Sequence, residues 1–163
     1  PQRRRRGPPE SSRGPRATPT LGPGIRQVGG GAGGLGADAL VVVAGDLNAD
    51  PEDGDGIRGE IRSLLGHPRL QDPRPESLGG AEAARFEETP KTGDPALHTA
   101  DWPEGRGKPG NLRVDYVLPD ARLEVVGAGV FWPARGAPLA RLVRMGRSPA
   151  SSDHRLVWVD LVR

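Results

Sequence analysis

The chain has 163 residues, which is room for one domain of ordinary size. It contains no cysteine, which excludes disulfide bonds, a thiolate nucleophile and a cysteine-based zinc site. No stretch approaches the ~18 consecutive apolar residues of a membrane span, so the sequence predicts none.

The first segment, residues 1–37, is predicted to be a disordered leader. Its first 36 residues include ten glycines and six prolines, which are costly to order or break regular structure. Residues 1–34 carry seven arginines and one acid, whereas the rest of the chain carries 16 basic and 20 acidic residues. The positive charge therefore belongs to the leader, and residues 38–163 are predicted to form a mildly acidic folded domain.

Two motifs in the leader could each be either a functional site or plain coil. The run Arg3–Arg6 could bind phosphates or act as a localisation signal, although a solvated tail is the simpler interpretation. Residues Gly31–Gly36 match the G-x-G-x-x-G pattern of dinucleotide sites, but they precede a strand instead of following one, which favours a flexible linker. No apolar core of ~7–15 residues follows the arginines, so no signal peptide is predicted here, and the compartment stays open.

The folded domain is predicted to open with a strand. Residues Ala39–Ala44 form a continuous apolar run rich in β-branched side chains, the pattern of a strand buried on both faces. The polar sequence Gly45–Pro51 follows, and functional groups gather at the carboxyl ends of strands in open α/β sheets. This pattern predicts an α/β fold with polar side chains at the end of its first strand.

A helix is predicted next, over Ile57–Leu65. It has one apolar face and ends at Gly66, a typical stop signal; the face comprises Ile57, Ile61, Leu64 and Leu65. Residues 71–110 are polar and rich in glycine and proline, and they predict a long loop of a kind that is usually functional or poorly ordered. His67 at the helix end and His98 in this loop are expected to be solvated.

Three further strands are predicted in the last third of the chain. Residues Leu112–Leu118 alternate, with the apolar side chains on one face. Residues Arg122–Trp132 are rich in β-formers, and Gly127 and Gly129 mark a candidate bulge. Residues Arg155–Leu161 form another apolar strand.

Polar residues with catalytic potential stand at the strand ends: Asp46, Asn48, Asp115, Asp153 and His154. A single carboxylate in such a place is usually a cap or a turn former. Three places that combine Asp, Asn and His are typical of phosphoester hydrolysis, which uses a divalent cation, a base and amide donors. Histidine suits the base because its unperturbed pKa lies near neutrality and a carboxylate can fix its tautomer.

Three short motifs resemble the C-terminal signatures of the endonuclease/exonuclease/phosphatase superfamily. They are Gly45-Asp46-Leu47-Asn48, Arg113–Leu118 and Ser152-Asp153-His154, in the family's order and at its approximate spacing. The resemblance implies a four-layer α+β sandwich within the α/β class, of which residues 38–163 form about one half. It also implies hydrolysis of a phosphodiester or phosphomonoester that depends on a divalent cation: Mg²⁺, Mn²⁺ or Ca²⁺.

The resemblance implies a role for each motif residue. Asp46 is similar to the residue that orients the attacking water or helps to hold metal, and Asn48 to the one that donates a hydrogen bond to the phosphate. Asp115 is similar to the carboxylate that pairs with the motif histidine. Asp153 is similar to a metal ligand, and His154 to the catalytic histidine, which also contacts the substrate phosphate.

The N-terminal region of the chain departs from the family pattern. The family places a metal-ligating Asn and Glu and a further His on early strands, whereas Glu10 is the only glutamate before Asp46 and no asparagine precedes Asp46. The sequence therefore predicts a truncated domain that is weakly active or inactive by itself. Its expected partners are a phosphate-ester substrate, either nucleic acid or a small molecule, and the missing N-terminal half of the sandwich.

Three other interpretations stay open. The chain could be a non-catalytic relic of the family, or a phosphate- or nucleic-acid-binding fragment that uses its arginine-rich tail, although that tail lacks aromatic residues for base stacking. Residues Asp46–Asp50 also begin like an EF-hand loop, but Pro51 and Ile57 occupy the positions that require Gly and Glu. The acids Asp50, Glu52, Asp53 and Asp55 could bind an ion loosely, although a solvated turn is the simpler interpretation.

Overall fold

In the computed structural model, which describes residues 35–36, 38–143 and 151–162, one strand and two short α-helices precede five further strands. The elements are β1 (Val42–Asp46), α1 (Arg58–Leu65), α2 (Leu78–Ala83), β2 (Glu104–Gly105), β3 (Lys108–Pro109), β4 (Asp115–Pro119), β5 (Glu124–Phe131) and β6 (Leu156–Val162). Three single-turn 3₁₀ helices cover Ala84–Phe86, Pro95–Leu97 and Ala140–Leu142. The arginine run and most of the glycine motif of the leader lie outside the described residues.

The described strands pair antiparallel in three two-stranded sheets. β1 pairs with β4, which sets Asp46 opposite Asp115. β2 pairs with β3, and β5 pairs with β6 in a register that shifts between Val125 and Gly127, so the bulge predicted near Gly127 is confirmed. The mixture of helices and small antiparallel sheets is compatible with the predicted α/β class. No helix in the described ranges is long and apolar enough to cross a membrane.

The first strand differs from its prediction. It spans Val42–Asp46 instead of Ala39–Ala44, and the Val42 side chain is exposed where burial on both faces was expected. Within the described portion of the chain, β1 has one neighbouring strand, β4, and Val43 packs against the core. An apolar run does not specify how many neighbours will cover it, so the expectation of double burial was wrong.

The alternation predicted for Leu112–Leu118 is confirmed from Val114 onward, whereas Arg113 is also buried and the strand begins at Asp115. Val114, Tyr116 and Leu118 are 1%, 1% and 0% exposed. Tyr116 and Leu118 share a core cluster with Ile61 of α1, whose bounds agree with the predicted helix and which is followed by Gly66 as its C-cap. This cluster fixes the strand that carries Asp115.

The predicted long loop, residues 71–110, contains α2, two of the 3₁₀ turns and the β2–β3 hairpin. Ser77 caps α2 by accepting a hydrogen bond from the Gly80 N–H at 3.1 Å. His98 is 1% exposed, so the expectation that it is solvated was wrong: the 3₁₀ turn before it directs the chain into the interior. His67 is half-buried and accepts a hydrogen bond from the Arg69 N–H.

Candidate active site

Asp46 and Asn48 form the first half of the site, at the end of β1. The Oδ1 atom of Asp46 accepts a hydrogen bond from the Asn48 backbone N–H at 2.8 Å, and Oδ2 accepts one from the Asn48 side-chain amide at 3.0 Å. Asn48 has a positive φ of 48°, a conformation that asparagine adopts more readily than most residues. This turn holds a carboxylate and an amide side by side.

Asp115 and His154 form the second half. The His154 Nδ1 atom lies 3.0 Å from Asp115 Oδ2 and 3.2 Å from Oδ1, and both side chains are largely shielded from solvent. A carboxylate accepts hydrogen bonds and donates none, so this contact places the imidazole proton on Nδ1. The lone pair of Nε2 is then available to take a proton.

The backbone brings these two halves together. Asp46 and Asp115 are paired across the β1–β4 ladder, while an isolated bridge joins His154 to Ala100. The buried hydroxyl oxygen of Thr99 accepts hydrogen bonds from the backbone N–H groups of Val114 and Asp115 at 3.0 and 2.9 Å. Segments distant in sequence therefore meet at one edge of the β1–β4 sheet.

The donor set of the site fits a divalent cation. One ligand atom each from Asp46, Asp115 and His154 lies within 4.8 Å of the other two, and this is the one such group of acids and histidines in the described ranges. Carboxylates suit Mg²⁺, Mn²⁺ and Ca²⁺, and imidazole suits transition metals. Asp115 and His154 are hydrogen-bonded to each other, whereas the Asp46 oxygens accept hydrogen bonds from Asn48, which lies outside this group.

A comparison with protein-family models matches the Endonuclease/Exonuclease/phosphatase family over residues 3–154. The chain belongs to this family. The resemblance drawn from the three motifs is thereby confirmed, and the match begins upstream of Asp38, so it also includes leader residues. No curated protein and no solved structure matches the chain.

Asp153 is placed differently from the other motif residues of this endonuclease/exonuclease/phosphatase family member. Its backbone oxygen accepts a hydrogen bond from the Asp101 N–H at 2.8 Å, and its carboxylate lies 3.5 Å from the Ser152 hydroxyl. It is not a member of the three-residue group that could hold a metal. Its role as a metal ligand stays a prediction.

Arg155 and Trp102 support the site, and the sequence pattern did not single them out. The fully buried Arg155 side chain donates to the Ser152 carbonyl at 2.7 Å and to the Asp101 carboxylate at 2.5 Å, so it ties the motif loop to Asp101. The Trp102 ring contacts the His154 ring edge to face, with centroids 5.5 Å apart. Arg155 directly follows the histidine motif, which is the one local signal that could have identified it.

Proposed function

We propose that this chain is a divalent-metal-dependent phosphoesterase that hydrolyses a phosphodiester or a phosphomonoester. The proposal is carried by the contact between His154 Nδ1 and the Asp115 carboxylate at 3.0 Å, beside Asp46, in a member of the endonuclease/exonuclease/phosphatase family. Hydrolysis of phosphoester bonds is the general activity of that family. A base, its orienting carboxylate and a second carboxylate are the groups that such a reaction needs.

The proposed chemistry assigns one task to each side chain. His154 accepts a proton at Nε2 while Asp115 stabilises the charged ring through Nδ1. Asp46 orients the water whose oxygen forms the new bond to phosphorus as the bond to the alcohol breaks. Asn48 has a second amide hydrogen beyond the one it donates to Asp46, and this hydrogen can bind a phosphate oxygen. The proton that His154 accepts comes from the attacking water and returns to solvent, while the departing alkoxide takes a proton from solvent water.

A bound divalent cation would neutralise charge on the phosphate, and Asp46 and Asp153 are the proposed ligands. We propose that the ion is held loosely and that turnover is weak, because two of the three clustered donors, Asp115 and His154, are already paired with each other. Asp153→Asn is expected to raise the metal concentration needed for half-maximal activity.

The sandwich architecture belongs to the same proposal. We propose that the β1–β4 and β5–β6 pairs belong to the half of the family's four-layer sandwich that residues 38–163 form. The antiparallel pairing of both is consistent with this arrangement.

The test is an assay of bis(p-nitrophenyl) phosphate and p-nitrophenyl phosphate with Mg²⁺, Mn²⁺ or Ca²⁺, and with EDTA. Turnover of at least one ester is expected with metal and is expected to vanish with EDTA and in His154→Ala. His67→Ala is the matched control, because His67 lies at the end of α1 and outside the clustered donors. Turnover that His154→Ala leaves intact would overturn the proposal.

A further inference from the structure

One lining residue of a groove of about 800 Å³ contacts the candidate catalytic histidine, which does not itself line the groove. Trp102 lines the groove and also contacts the His154 ring. Asp101 lines it too, and its N–H donates to the carbonyl of Asp153. The volume is typical of pockets that bind small organic molecules, and a phosphate held at His154 would bring its organic group to this groove.

The charged side chains that line the groove are mainly acidic. They comprise four carboxylates and two guanidinium groups: Glu82, Glu87, Asp101, Glu104, Arg135 and Arg141. One of these guanidinium groups, that of Arg135, stacks on the Phe86 ring at 4.6 Å. Asp101 is paired with Arg155, whereas the other carboxylates accept hydrogen bonds from backbone N–H groups. The Lys91 ammonium is the cation that acts on both Glu87 and Glu104.

Glu87 shows that this negative charge is incompletely compensated. Its Oε1 accepts a hydrogen bond from the Asn111 N–H at 2.6 Å, but its buried Oε2 has no hydrogen-bond partner within the described portion of the chain. Burial raises the pKa of Glu87, and the charges of Glu104 and Asp101 add to this effect, against the opposing influence of Lys91 and the Asn111 N–H. Nearby negative charges disfavour the ionised form of a carboxyl group. A cation that approaches the group therefore stabilises that form.

We propose that this groove binds the organic group of the phosphoester substrate and selects one that carries an ammonium over an uncharged one of the same size. The inference rests on the proposed function, because His154 fixes where the phosphate lies. The carboxylates supply charge-assisted hydrogen bonds, and the rings of Trp102 and Phe86 pack against the carbon chain. The same lining disfavours a nucleic acid strand, whose further phosphates would meet carboxylates.

The test compares two p-nitrophenyl phosphodiesters that differ in one group, the 2-aminoethyl ester and the propyl ester. The wild-type chain is expected to prefer the aminoethyl ester in kcat/KM by about fivefold to tenfold at low salt, and less as salt screens the carboxylates. Glu82→Gln and Glu87→Gln keep an acceptor for the N–H groups of Arg135 and Asn111. Each is expected to lower the preference several-fold, while Glu60→Gln on the exposed side of α1 leaves it unchanged.

The outcomes separate this inference from the proposed function. Equal or faster hydrolysis of the propyl ester, or of a single-stranded oligonucleotide, overturns the inference while the hydrolase stands. The same follows if both glutamine variants keep the wild-type preference. If neither ester is hydrolysed, calorimetry with 2-aminoethyl phosphate and propyl phosphate tests the groove directly. Equal affinities for 2-aminoethyl phosphate and propyl phosphate would then overturn the inference about the groove. The proposed function fails only if bis(p-nitrophenyl) phosphate and p-nitrophenyl phosphate are not hydrolysed either.

Discussion

Thr99 holds the backbone under the Asp115 carboxylate in place. Its side chain is 0% exposed, and its hydroxyl oxygen accepts from two successive backbone N–H groups, those of Val114 and Asp115. The backbone that carries Asp115 is thus held by a residue that belongs to none of the three motifs. The buried Arg113, which precedes Asp115 by two residues, forms an ion pair with Asp72.

Replacing Thr99 by valine keeps the shape but removes this acceptor. The two N–H groups then lose their partner, so the free energy of unfolding is expected to fall by about 2 kcal/mol or more. The value of kcat should fall with it, because Asp115 is no longer fixed beneath His154. Urea denaturation and steady-state kinetics measure the two effects, and the exposed Thr89→Val is the control. A variant with wild-type stability would contradict this account of Thr99.

The Asp72–Arg113 pair predicts a pH dependence of stability. Burial tends to raise the pKa of Asp72, but hydrogen bonds from Arg113 and its charge outweigh burial and leave the pKa below its ordinary value. Ionised Asp72 therefore stabilises the fold above the unfolded-state pKa of about 3.9, and this contribution is lost as the pH falls through the lower folded-state pKa.

Asp72→Asn is expected to cost about 3 kcal/mol at pH 7, because it leaves the buried Arg113 guanidinium without its carboxylate. The same substitution should flatten the fall in stability below about pH 4. Thermal unfolding from pH 7 to pH 3 measures both, with the exposed Asp55→Asn as the control. An unchanged acid transition in Asp72→Asn would show that the pair does not control it.

At the scale of elements, α2 docks onto the end of β5 through a glycine. The Gly79 N–H donates to the Trp132 carbonyl at 2.8 Å, and a Cβ atom at Gly79 would lie 2.3 Å from that same oxygen. Trp132 in turn carries the Arg155 guanidinium on its ring at 4.5 Å. The helix, the strand and the loop that bears His154 are therefore coupled by close packing.

Gly79→Ala is expected to destabilise the chain by more than about 2 kcal/mol, because backbone atoms at the end of β5 must move to admit a methyl group. Gly59→Ala in α1 is the matched control, since nothing lies within 4 Å of its added Cβ. That control should stabilise the helix by up to about 1 kcal/mol. Chemical denaturation measures the change in the free energy of unfolding for both variants. A change of the same sign in both would contradict the close packing proposed at Gly79.

The sequence could predict those elements whose pattern is local. The helix ending at Gly66, the alternation around Tyr116 and the bulge near Gly127 follow from side-chain periodicity and glycine chemistry. The exposure of Val42 and the burial of His98 could not be predicted, because each depends on which distant segments cover it. The same holds for Thr99 and Trp102, which reach the site through tertiary contacts alone.

For the molecule as a whole, the family match and the composition of the leader predict different starting points for the folded domain. The match starts at residue 3, whereas the glycine, proline and arginine content predicts that folding begins near Asp38. We propose that residues 38–163 fold without the leader. Deletion of residues 1–36 is then expected to leave the melting temperature and the circular dichroism per folded residue nearly unchanged. A large loss of either would show that the matched leader residues belong to the fold.

We propose that Asp115 and His154 act as one catalytic unit beside Asp46. A double-mutant cycle in kcat/KM on a p-nitrophenyl phosphodiester with Mn²⁺ tests it directly. Asp115→Asn and His154→Ala are each expected to lower kcat/KM by about 10²–10⁴-fold, and the double variant should be no worse than His154→Ala alone. Multiplicative losses in the double variant, or a single variant with wild-type turnover, would contradict the account.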